Sequence, residues 1–83
     1  MKKVYESKIN CVSESAEQIT LYALDNQEER EELDELTHGE LCDALGVFDQ
    51  MGYEVAPGAI YHTYNFEITD AFLIVKETVA RNV

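Results

Sequence analysis

At 83 residues the chain is long enough for one hydrophobic core and too short for two domains, because a protein of this size buries only about 60 to 65% of its unfolded surface. A hydrophobic fraction of 46%, with five Tyr and three Phe, argues against a disordered acidic tail. Seventeen acids against six bases give a formal charge of -11, which repels phosphate backbones and anionic lipid surfaces and makes a basic protein the expected macromolecular partner.

The start MKKVYESKIN lacks the apolar centre of a signal peptide. No stretch approaches the roughly 20 apolar residues needed to span a bilayer, so cytoplasmic residence is expected. Two cysteines, Cys11 and Cys42, are too few and too far apart for a disulfide-stapled scaffold.

Lys2 to Val12 reads as a strand, with Tyr5, Ser7, Ile9 and Cys11 on one face and Glu6, Lys8 and Asn10 opposite. Ser13 to Ala16 is a turn candidate, and the alternation of Ile19, Leu21 and Ala23 up to Leu24 completes a hairpin. Asn26 followed by Glu29 has the spacing of an N-cap with a reciprocal acid, and QEEREELDEL then supplies strong helix formers. One helix to about Met51 would place Leu33, Leu36, Leu41, Ala44, Leu45, Phe48 and Met51 on one broad face. Thr37 followed by Glu40 is a second capping box, however, and Gly39 weakens a helix interior. Two abutting helices are favoured over one.

Gly52 is read as the end of the helical region, Tyr53 to Val55 as a short strand and Pro57-Gly58 as a turn. Ile60, His62, Tyr64, Phe66 and Ile68 alternate with Tyr61, Thr63, Asn65 and Glu67, the clearest strand pattern in the chain. After Thr69-Asp70, AFLIVKETVARNV favours a buried strand by its Phe, Ile, Val and Thr content, against a helix capped by Thr69. The expected fold is α+β: one compact domain over residues 1–83, with a mainly antiparallel four- or five-stranded sheet covered by one long or two short acidic helices.

Between Asp25 and Asp49 stand ten acids against Arg30 alone, a local charge of -9. Along a helical rise this is about one charge per 4 Å, near the roughly 3.4 Å spacing of a single DNA strand. Six like-charged pairs three or four residues apart within Glu28 to Glu35 cost the isolated helix about 1 to 3 kcal/mol at low salt, a repulsion that a basic partner relieves. The expected function is therefore an acidic inhibitor that mimics nucleic-acid charge and occupies the basic groove of a nucleic-acid-binding protein. Its contacts are Glu28, Glu31, Glu32, Asp34, Glu35, Glu40 and Asp43. Small acidic inhibitors, including phage proteins that block nucleic-acid-directed defence, are similar in size and charge alone.

The alternative is a structural or adaptor protein that binds through a tyrosine-rich sheet surface, with Tyr53 and Tyr61 as contacts and the acids serving solubility. A homodimer through the sheet edge or that tyrosine face is also expected. Enzymatic activity is not expected, since acids sharing one exposed helix surface titrate alike, whereas acid-base catalysis needs two carboxyls in different environments. Cys11, His38, Cys42 and His62 are the residues of the four-ligand zinc kind, but they lack paired C-x2-C spacing. No metal and no cofactor are expected, and the four dispersed glycines form no phosphate cradle.

Overall fold

The computed structural model of the protein describes residues 1–7, 15–50 and 54–82. In chain order the elements are β1 (Lys2–Glu6), β2 (Ser15–Ala23), α1 (Gln27–Asp34), α2 (His38–Leu45), β3 (Ile60–Ile68) and β4 (Phe72–Arg81). The strands form one sheet in the order β1-β2-β4-β3, and every neighbouring pair is antiparallel. The α+β expectation is met, with four strands and two helices among the described residues.

Registry assigns each side chain to a face, because paired residues of an antiparallel sheet point the same way. Leu73, Val75 and Val79 of β4 lie level with Tyr22, Thr20 and Ala16 of β2 and with Ile68, Phe66 and His62 of β3. The buried residues of the sheet, Leu73, Val75, Val79 and Thr20, all belong to this face. Leu33 of α1 and Leu41 and Cys42 of α2 are the buried helical residues, and the His38 ring lies 5.1 Å from that of Phe66. The helices therefore cover this face, and the domain is two layers thick, 17 Å along its shortest axis.

Each helix begins where its capping residues direct. The Asn26 side chain accepts from the Glu29 N–H at 2.8 Å, although the Glu29 carboxylate reaches back to the N–H of Asp25 rather than that of Asn26. At α2 both halves of the capping box form, with Thr37 Oγ1 accepting from Glu40 N–H and Glu40 Oε1 from Thr37 N–H. This second cap starts a new helix and selects two helices over one.

Three boundaries differ from expectation. The helical region ends at Gly46, whose φ of 70° is a left-handed C-cap that favours glycine, so Phe48 lies beyond the helix and is exposed. Strand β2 already begins at Ser15, overlapping the expected turn, because ladder pairing with β4 extends to Ala80. Glu54 and Val55 are not in a strand. The expected alternation over Ile9 and Cys11, the helix end at Met51 and Gly52 and the contact residue Tyr53 lie outside the described residues.

The β1–β2 ladder carries a bulge, since Lys3 pairs with Tyr22 and Tyr5 with Leu21. The extra residue puts Lys3 and Glu6 on the same face, where Lys3 Nζ lies 3.0 Å from the Glu6 carboxylate.

Core energetics separate from capping energetics. Leu73, at 0% exposure, loses about 2 to 5 kcal/mol of stability on replacement by Ala, whereas Thr37→Ala loses about 1 kcal/mol. Urea denaturation with unchanged m-values measures both; equal losses would contradict the placement of the core.

Candidate functional site

All seven acids proposed as contacts, Glu28, Glu31, Glu32, Asp34, Glu35, Glu40 and Asp43, are exposed. They do not form one straight array. The eight residues of α1 span about 12 Å of helix, and α2 starts afresh at Thr37. Glu40 is already engaged in capping α2. Of the other acids in the segment, Asp49 is turned inward, with 10% side-chain exposure.

The sheet face that no described helix covers corresponds to the sheet surface expected for an adaptor, but with different residues at its centre. It carries Ile19, Leu21 and Ala23 of β2, with Phe72, Ile74, Thr78 and Ala80 of β4 beside them. Tyr5 of β1 lies level with Leu21, which lies level with Ile74, making an apolar row across three strands next to Phe72. Tyr5 is 53% exposed and Phe72 37%. Tyr61 shares this face but stands level with Ala80, at the opposite end and beyond Thr78. Tyr64 and Tyr22 point to the helix side. Among the described residues the tyrosines thus form no single patch; the contiguous feature is Tyr5, Leu21, Ile74 and Phe72. A signal for it exists in the sequence: FLIV is apolar on both faces of a strand, whereas the helix patterns supply one covering layer.

On the other side, α2 and the segment after it build a polar cluster. His38 and Cys42 are four residues apart on α2, so their side chains share a face. The Gly46 cap turns the chain back, with Val47 N–H donating to the Cys42 carbonyl at 3.0 Å. Asp49 then arrives beside both residues, and its Oδ2 lies 2.5 Å from His38 Nε2. Donor atoms of His38, Cys42 and Asp49 all lie within 4.8 Å of one another.

The outer edge of β3 fixes Asp49. Tyr64 N–H donates to Asp49 Oδ2 at 3.2 Å, Gln50 N–H donates to the His62 carbonyl at 2.9 Å, and His62 N–H donates to Gln50 Oε1 at 2.8 Å. A cavity of about 360 Å³ beside the cluster is lined by His38, Gly39, Cys42, Asp43, Val47, Phe48 and Asp49.

Burial pushes the Cys42 thiol above its ordinary pKa; the carboxylates of Asp49 and Asp43 add to this, and a hydrogen bond from the Asp49 backbone opposes it. A nucleophilic cysteine requires the opposite shift, and His38 is bonded to Asp49. His62, the other candidate ligand, stands apart on β3, with Nδ1 3.4 Å from Glu77. Tyr64 donates to the second Glu77 oxygen at 2.6 Å, and burial together with that carboxylate raises the phenol well above its usual range. Cys11 lies outside the described residues. Asp49 is the member of the cluster that sequence spacing missed, because only the Gly46 turn brings it to His38.

No family model, curated protein or solved structure matched the chain in these comparisons. Among the described residues no helix is long and apolar enough to cross a membrane.

The raised thiol has a direct chemical consequence. Alkylation of Cys42 by iodoacetamide, followed by peptide mapping to separate it from Cys11, is slow at neutral pH and rises with a midpoint above the ordinary 9.0. Asp43→Asn removes one nearby negative charge and speeds the reaction at fixed pH roughly two- to threefold. A midpoint below 9.0 would contradict the effect assigned to burial and the two carboxylates.

Proposed function

We propose that this domain is a protein-binding module whose contact surface is the open face of the sheet, centred on Tyr5, Leu21, Ile74 and Phe72. The supporting observation is that Tyr5 and Phe72 are exposed large apolar side chains, Tyr5 in register with the half-buried Leu21 and Ile74 and Phe72 beside them, paired with Ala23. An exposed apolar patch bordered by polar residues is the usual mark of a binding surface. Glu17, Lys76 and Glu67 border it on the same face.

The occupant is a neutral-to-basic protein that presents its own apolar surface. A net charge of -11 attracts and steers a basic partner at long range and repels a second copy. In the homodimer expected from sequence through this face, the helical acids of the two copies would lie on its far sides. Part of the outer β3 edge is taken, by Asp49 and Gln50.

A second reading rests on the exposure of all seven helical acids: those carboxylates occupy the nucleic-acid path of a basic protein, with Arg and Lys as their counterparts.

Two variants separate the readings. Tyr5→Ser/Phe72→Ser alters the open face at exposed positions, and E31Q/E32Q/D34N/E35Q removes four charges from α1 and its C-cap. The binding partner is first captured from the native cell and then measured as a purified protein at several salt concentrations. The open-face variant weakens the complex at least about tenfold, while the acidic variant chiefly slows association and reduces its salt dependence. Loss of binding in the acidic variant alone, with nucleic acid competing for the partner, would replace the open-face reading by charge mimicry. Sedimentation equilibrium gives a monomer; a concentration-dependent dimer abolished by Tyr5→Ser/Phe72→Ser would make the occupant a second copy.

A further inference from the structure

The geometry points to a mononuclear metal site for zinc or a similar late divalent ion, held by His38, Cys42 and Asp49 with an outward position for a water or an external ligand. This site lies on the opposite side of the domain from the open sheet face and does not depend on the binding role assigned to that face.

Three features carry the inference. The donor set combines one thiolate, one imidazole and one carboxylate, the ligand types that zinc takes, and three protein ligands with an open position are the arrangement of reactive rather than sealed zinc sites. The donors are also close to coordinating geometry. Tetrahedral bonds of about 2.0 to 2.3 Å place ligand atoms roughly 3.3 to 3.6 Å from one another, and here all three donors fall within 4.8 Å, with His38 Nε2 and Asp49 Oδ2 2.5 Å apart. Side-chain rotations of about an ångström convert one arrangement into the other, and the ion replaces the direct hydrogen bond between His38 and Asp49.

The third feature is that each ligand is already held. Cys42 is buried on α2, the His38 ring packs 5.1 Å from Phe66, and Asp49 is oriented by the Tyr64 N–H. Such outer contacts fix ligand direction before an ion arrives. The adjacent cavity, lined also by Gly39, Asp43, Val47 and Phe48, leaves space for the fourth ligand.

On binding, Cys42 gives its proton to solvent and coordinates as thiolate, Asp49 coordinates as carboxylate and His38 as neutral imidazole. The two ligand charges then balance a divalent ion. The bulk acidity of the domain does not account for this specificity, because Glu31, Glu32, Asp34 and Glu35 are exposed and offer carboxylates without a thiolate or imidazole.

Cobalt titration of the full chain without an affinity tag tests the site, since Co²⁺ occupies zinc sites and reports thiolate coordination by a charge-transfer band in the near ultraviolet. The expected result is one Co²⁺ per chain, that band, the strong visible absorption of a four-coordinate ion and displacement of both by Zn²⁺. Cys42→Ser removes the charge-transfer band, and His38→Ala and Asp49→Asn each weaken binding at least about tenfold. Glu31→Gln/Glu32→Gln leaves the affinity unchanged. His38 is exposed, so His38→Ala tests the site even if Cys42→Ser fails to fold, with circular dichroism checking each variant. Absence of a stoichiometric site, a charge-transfer band that survives Cys42→Ser, or equal weakening by the Glu31/Glu32 pair would overturn the assignment.

Discussion

Strand β4 is hydrogen-bonded on both sides, to β2 and to β3, and it is apolar on both faces. Leu73, Val75 and Val79 point to the helices, while Phe72, Ile74 and Ala80 point away. A central strand of this kind asks for a covering layer on each side, but two eight-residue helices supply only one. The molecule buries the centre of the first face, down to 0% exposure at Leu73, although Ile60 at its end stays exposed, and leaves the second partly covered by its own neighbouring side chains. The open apolar row therefore follows from pairing one described helical layer with a strand that is apolar on both faces.

Placement of charge follows from the same division. Helices whose inner positions are Leu33, Leu41 and Cys42 turn the remaining positions to solvent, and those positions are mostly Glu and Asp. The acidic surface and the apolar surface thus lie on opposite sides of a two-layer domain. Long-range attraction and close contact can then be provided by different faces: the field of the acids reaches over about a Debye length, whereas apolar burial acts only at contact.

The Gly46 turn links the helix layer to the sheet edge. By reversing the chain after α2 it brings Asp49 to His38 and Cys42 and lays Gln50 against the backbone of β3. One local conformation protects part of an exposed strand edge and also assembles three metal-ligand types from two adjacent segments. The backbone contacts that cover the edge are the contacts that hold Asp49 in place.

The long alternation of Ile60 to Ile68, the β-rich FLIV run and the two capping pairs at Asn26 and Thr37 determined two strands and two helix starts without tertiary information, because period and capping act over a few residues. The exposure of Glu28, Glu31, Glu32, Asp34, Glu35, Glu40 and Asp43 was legible for the same reason: their helices have few inner positions, and apolar residues fill them. The sequence did not determine which face of the sheet the helices would cover, nor that Tyr5 would join Leu21 and Ile74 while Tyr61 stood at the other end. Those outcomes depend on the order β1-β2-β4-β3 and on registry, in which the β2–β4 ladder joins residues as distant in sequence as Ser15 and Ala80. Asp49 joined His38 and Cys42 only through the left-handed turn at Gly46, since helix periodicity continued to Met51 predicts a face for each residue but not where a broken helix sends the chain next.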